Sequence, residues 1–158
     1  MKEVMDHIYV GSQADDEALT DRHGWAIVHA AKEPYHRRAV GYTNRAAPAD
    51  HPERLIALRG NELYLNLIDA PDAAYLPVEI FDAARGFIYG WRAIGAKVLI
   101  HCNQGLSRAP GIAMYYMIGM LPSVFDDAVE AFTELYPEIK LGDGVAGRLR
   151  EEWNRAQT

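Results

Sequence analysis

The sequence predicts an α/β protein: a single domain over residues 1–158, with a central, mostly parallel sheet flanked by helices. Three observations lead there. Residues 7–30 read strand, polar helix, strand, the β-α-β order that favours parallel pairing through a crossover helix. Lys97-Val98-Leu99-Ile100 is a short apolar run rich in β-branched residues, and it leads through a tight loop into an apolar helical stretch over 109–120. Helical spacing recurs over 77–94, 123–136 and 145–155, supplying faces to cover a sheet.

Each element has its own signal. His7-Ile8-Tyr9-Val10-Gly11-Ser12 is a short strand ending at a turn glycine, and Ser12 is placed to cap a helix running to about Asp21. Residues 24–30 form a buried second strand. Residues 41–52, with two prolines and several small residues, read as a loop. Residues 54–59 and 62–68 flank a break at Gly60-Asn61 and read as two strands or a hairpin. Pro77 opens a helix whose Phe81, Ala84, Phe87 or Ile88, and Trp91 share one face, with Gly95 as its C-cap. Ser123-Val124-Phe125-Asp126 resembles a capping box and starts a helix that Tyr136-Pro137 ends. Leu141-Gly142-Asp143-Gly144 is a turn before the last helix.

The chemistry concentrates in His101-Cys102-Asn103-Gln104-Gly105-Leu106-Ser107-Arg108. A strand, a tight loop and a helix start make an anion cradle, because loop N–H groups point inward and the helix N-terminus is partially positive. Cys102 at the strand end sits where a thiolate, the reactive form of cysteine, is favoured. Arg108 can clamp two phosphoryl oxygens with its planar fork. Gly105 permits a positive φ or a close backbone approach, Ser107 can donate a hydrogen bond within the loop, and Pro110 suits a first helical turn.

These residues resemble the His-Cys-x-x-Gly-x-Ser-Arg signature of the dual-specificity protein phosphatases, within the Cys-x5-Arg cysteine phosphatases. The resemblance implies the cysteine phosphatase fold and a phosphomonoester hydrolase acting through a phosphocysteine. It makes Cys102 and Arg108 catalytic, with Asn103, Gln104, Gly105, Leu106, Ser107 and Arg108 forming the phosphate loop. One departure stands out. The family usually carries Ser or Thr after the arginine, and here it is Ala109. That hydroxyl stabilises the departing thiolate when the phosphocysteine breaks down, so the change bears on turnover and not on the first chemical step. The family also places a general acid on a mobile loop after an upstream strand. Asp69 and Asp72 are the candidates, with Asp69 favoured for its place at the strand end.

Other residues carry open readings. Lys32-Glu33-Pro34-Tyr35-His36-Arg37-Arg38 follows the second strand at the edge where open α/β sheets bind ligands. It reads as a solvated loop, or as a recognition loop in which Lys32 or Arg37 draws in the phosphorylated ligand and Tyr35 forms a wall. His101 reads as a satisfied strand histidine, as a support for the loop and its anion, or as both. The remaining histidines show no metal-ligand spacing, and no metal or cofactor is expected.

Composition narrows the class. The apolar share of 49% and charged share of 24% suit a globular protein. A net charge of -6 argues against a general binder of nucleic acid or anionic membranes. One cysteine makes no internal disulfide, and residues 1–6 contain no apolar signal core, so a reducing, cytoplasmic setting is expected. Expected ligands are a phosphorylated protein or a small phosphate ester, and phosphate- or sulfate-like anions in the loop. Two alternatives stay open: a slow or inactive module that binds phosphorylated partners, and a phosphatase of an RNA 5′-phosphate, phosphoinositide or metabolite.

Overall fold

Period-two alternation along the strands sets the architecture. In the computed structural model, which describes residues 1–120 and 125–158, six strands form one sheet. They are β1 (Lys2–Met5), β2 (Ile8–Gly11), β3 (Trp25–His29), β4 (Ile56–Arg59), β5 (Glu62–Leu65) and β6 (Lys97–His101). Their order is β1-β2-β6-β3-β5-β4. The four inner strands pair in parallel, and antiparallel β1 and β4 close the edges.

Six helices follow in chain order: α1 (Gln13–Ala18), α2 (Arg37–Val40), α3 (Val78–Ala93), α4 (Arg108–Met120), α5 (Phe125–Leu135) and α6 (Asp143–Ala156). Val10, Ala26, Val28, Val98 and Ile100 alternate onto one face, where they join Phe81, Ala84, Ile88, Ile112 and Tyr115 in the core. Each large aliphatic or aromatic side chain fully removed from water there contributes about 1.5–3 kcal/mol. Helix α4 is buried along most of its length, so its N-terminus is fixed directly after the loop that leaves β6.

The elements differ from expectation at their edges. Strand β1 was not anticipated, because Lys2-Glu3 carries charge onto an exposed edge strand. Helix α1 stops at Ala18, three residues short of Asp21, where the Leu19 N–H reaches both the Asp15 and Asp16 carbonyls. At its start the Ser12 N–H donates to Asp15 Oδ2 at 2.8 Å. Residues 32–38 are a turn over Lys32–His36 that runs into α2 rather than an open loop. Helix α6 begins at Asp143 instead of 145, and its first turn gains a carboxylate that suits the positive end of the dipole. The expected cap at Ser123 lies outside the described residues.

Candidate active site

The parallel strands β2, β3 and β6 end at the same edge of the sheet, and the chain leaving β6 turns there into the cradle. Cys102 is the first residue after the strand and is 2% exposed, with a free thiol. Arg108 opens α4. Between them Gly105 has φ 75°, and a Cβ there would stand 2.8 Å from both the Gly11 carbonyl oxygen and the Tyr136 hydroxyl. Only glycine meets both demands. Burial pushes the Tyr136 hydroxyl up to about 12, so it stays protonated at neutral pH.

The loop is anchored at both ends. Asn103 accepts from the Gln13 backbone N–H and donates its side-chain amide to the Glu33 carbonyl at 2.9 Å. Leu106 accepts from the Lys140 N–H at 2.8 Å, and Ser107 Oγ accepts from the Gly142 N–H at 2.8 Å. The Ser107 hydroxyl proton therefore remains free to donate. The loop borders a cavity of about 370 Å³ lined by Asp69, Cys102, residues 103, 104 and 106–108, Lys140 and Gly142.

Arg108 is held by acceptors of three kinds. Its Nη2 donates to Asn103 Oδ1 at 2.7 Å and lies 3.2 Å from Asp69 Oδ2, and its Nη1 donates to the Leu67 carbonyl at 3.3 Å. Its buried Nε–H has no partner among the described residues. A buried, charged donor left unmatched is costly, and this one belongs to the guanidinium that borders the cavity. Asp69 is exposed, with its side chain at 61%, so the ion pair positions the carboxylate over the loop more than it stabilises the fold.

The segment carrying Asp69 is tied to α6. The Gly144 N–H donates to the Ala70 carbonyl, and a Cβ on Gly144 would come within 2.4 Å of that oxygen. Arg148 bonds the Ala73 and Leu76 carbonyls at 2.7 and 2.6 Å. Asp72, the other candidate acid, does not line the cavity. Its carboxylate accepts from the Ala74 N–H at 2.8 Å and caps the short turn Ala73–Tyr75.

Lys32, Tyr35 and Arg37 are not among the residues lining the cavity. Lys32 Nζ donates to the Arg45 carbonyl at 2.7 Å. Arg37 pairs with Glu33 at 2.6 Å and reaches the Asn44 and Arg45 carbonyls, holding the following loop together. Tyr35 packs against His29 and His101, at the end of the strand that leads into the loop of residues 102–108.

That buried side holds a polar cluster. His29 lies directly opposite His101 in the β3/β6 register, and neighbours in a parallel register face the same way. His29 Nδ1 is 2.6 Å from His101 Nε2, and Asp16 Oδ2 is 3.8 Å from the latter. Asp16, His29 and His101 are buried, and their ligating atoms lie within 4.8 Å of one another. The group fits a hydrogen-bonded cluster better than a metal site. Two ligands of a tetrahedral zinc at its usual bond lengths stand about 3.3 Å apart, and Arg22 already neutralises Asp16 at 2.9 Å.

Burial, His101 and Arg22 push His29 down to about 2. The unfolded chain takes up this proton near 6.5 while the folded chain does not, so stability falls as the pH drops below 6.5. For one such group the loss from pH 7 to pH 5 is about 2 kcal/mol. Urea unfolding at the two pH values should show His29→Phe shedding that part of the acid sensitivity. Equal losses in variant and wild type would contradict a buried neutral His29.

Sequence reasoning did not single out Lys140, Gly142, Asp16 or His29. Lys140 and Gly142 reach the loop through their backbone N–H groups, which donate to the Leu106 carbonyl and the Ser107 hydroxyl far upstream. His29 gains meaning from the β3/β6 register and Asp16 from the packing of α1 against β6, neither of which the sequence carries.

No protein-family model matches the chain. It is 30% identical over 125 residues to dual specificity protein phosphatase 12 of Homo sapiens, an overlap of 77% of this chain and 36% of that protein. The chain thus spans between about a tenth and about a third of the length of the curated relatives it matches. The solved structure of DUSP15 superposes with a TM-score of 0.67 at 21% identity, covering 99% of this chain and 90% of that one. The human tyrosine phosphatase-like serine/threonine/tyrosine-interacting protein gives a TM-score of 0.68 at 19% identity over 100% and 98%. In sequence the chain is similar to the dual-specificity protein phosphatases over about three quarters of its length, and its fold is theirs.

Proposed function

We propose that the chain is a cysteine-dependent phosphomonoester hydrolase working through a phosphocysteine. The observation that carries this is the placing of Cys102, the Arg108 guanidinium with its unpartnered Nε–H, and the Asp69 carboxylate on one cavity. The Cys102 thiolate attacks phosphorus in line, and the S–P bond forms as the ester P–O bond breaks. Arg108 and the amides of residues 103–108 take up charge on the equatorial oxygens. Asp69 gives its proton to the leaving oxygen. As a carboxylate it then accepts a proton from the attacking water, aided by Gln104 or Ser107, and inorganic phosphate leaves as the thiolate is restored. No cofactor enters the scheme. The thiol must stay reduced, which suits a cytoplasmic setting.

The proposed substrates are phosphorylated proteins, as the names of the relatives suggest, or small phosphate esters. An RNA 5′-phosphate or a phosphoinositide is a weaker fit, because Asn103, Gln104 and Leu106 add no charge to the loop. Ala109 favours a second reading, a slowly turning-over module that holds phosphorylated partners. The residue is fully buried and offers no hydroxyl to the departing thiolate. A burst of product equal to the enzyme concentration, followed by a slow phase, is the signature of that reading.

The pH profile of p-nitrophenyl phosphate hydrolysis in EDTA tests the acid. Asp69→Asn should lower kcat by about 10²-fold and remove the basic limb of the bell. Asp72→Asn should leave the rate near wild type and change stability little, because the Asn side-chain oxygen still accepts from the Ala74 N–H. A silent Asp69→Asn with an impaired Asp72→Asn would reverse the two roles.

A further inference from the structure

We propose that His29 is a positioning residue for Cys102, acting through His101 to hold the Cys102–Asn103 peptide so that the Asn103 N–H faces away from the strand end and into the cradle. The inference rests on the reading of Cys102 as the nucleophile.

Hydrogen-bond direction fixes the protons. His101 Nδ1 lies 3.4 Å from the Cys102 carbonyl oxygen, which can only accept, so Nδ1 carries the hydrogen. Burial holds both imidazoles neutral, although Asp16 offsets part of the effect at His101. A neutral His101 protonated at Nδ1 has an accepting Nε2. The atom 2.6 Å away is His29 Nδ1, which must then be the donor. That leaves His29 Nε2 as a bare lone pair, and this nitrogen is buried and without a partner among the described residues. Glu62 Oε1, 3.8 Å from it, is itself an acceptor already taken by Arg22. The relay therefore runs one way, from His29 to His101 to the Cys102 carbonyl.

Packing keeps the rings in register. Tyr35 and Tyr64 stack on the two faces of His29 with centroids at 4.8 and 4.4 Å, and His101 meets its edge at 87°. Around them Asp16, Arg22, Arg38 and Glu62 line an outer cavity of about 380 Å³. In a planar trans peptide the C=O and the following N–H point in opposite directions. Drawing the Cys102 oxygen toward His101 therefore sends the Asn103 N–H the other way. If the peptide rotated, the cradle would lose one donor and present a carbonyl oxygen toward an anion.

The test separates the hydrogen bond from the stack. His29→Phe keeps a ring between the two tyrosines and deletes the donor, whereas His29→Asn keeps a donor and deletes the ring. The readout is thiolate absorbance at the ultraviolet edge against pH, with Cys102→Ser as the blank, together with the acidic limb of kcat/KM. In His29→Phe the thiolate titration should move up by about one unit and kcat/KM at low pH should fall roughly tenfold. His29→Asn should recover most of both. An unshifted titration in His29→Phe, or equal shifts in the two variants, overturns the proposal. If His29→Phe does not fold, a wild-type-like titration in His29→Asn supports the relay and a shifted one overturns it. The absorbance needs no turnover, so a wild type with a titrating thiolate but no hydrolysis would refute the proposed activity and leave this test intact.

Discussion

Cys102→Ser is expected to lower kcat/KM for p-nitrophenyl phosphate by at least ~10⁴-fold. A serine hydroxyl is far from ionised at neutral pH, and Asp69, the carboxylate on the same cavity, is assigned as the acid of this step. His101 contacts the Cys102 backbone instead of the thiol, and its Nε2 is engaged by His29. The variant should still bind phosphate, since the loop amides and Arg108 remain. A phosphate-dependent rise in Tm of similar size in variant and wild type checks this. Residual activity within a hundredfold of wild type would mean that Cys102 is not the attacking group.

Arg108→Lys is expected to cost at least ~10³-fold in kcat/KM and to weaken inhibition by phosphate. Lysine keeps one positive charge but loses the planar fork. The native guanidinium meets Asn103 Oδ1, the Leu67 carbonyl and Asp69 at once and still has its Nε–H unpartnered. An ammonium cannot satisfy those fixed acceptors and also clamp two phosphoryl oxygens. Asn103 would then lose the partner that orients it between α1 and the turn at Lys32–His36. Kinetics with phosphate as competitive inhibitor measure both effects, and a variant within tenfold of wild type on both counts would contradict the role.

Much of the fold was legible because its signals are local. A β-branched run marks β6, the Gly60-Asn61 break marks the hairpin between β4 and β5, and an apolar stretch marks the buried α4. The loop was legible for the same reason: its thiol, glycine and guanidinium lie within seven consecutive positions. What the sequence hides depends on register and on distant backbone. His29 looks like a stray polar residue on an apolar strand until β3 is set beside β6 with His29 opposite His101. Lys140 and Gly142 become part of the cavity because their N–H groups pair with Leu106 and Ser107. The cluster of charge at 32–38 looked available to a ligand, yet Arg37 and Lys32 spend their donors on Glu33 and on carbonyls of residues 42–45. An exposed cation is free for a ligand when no nearby carbonyl competes for it, and only coordinates reveal the competitors.

The most direct test of the account is the chemical identity of the intermediate. Enzyme mixed with excess p-nitrophenyl phosphate and quenched in acid within one turnover should carry one added phosphoryl group. Fragmentation should place it on the peptide containing Cys102, and Cys102→Ala should carry none. Buried Ala109 should make the adduct easy to catch, because breakdown of the thiophosphate is the step that lacks a helping hydroxyl. Hydrolysis at full rate with no phosphate on Cys102, or with the phosphate on another residue, would contradict the mechanism at its first step.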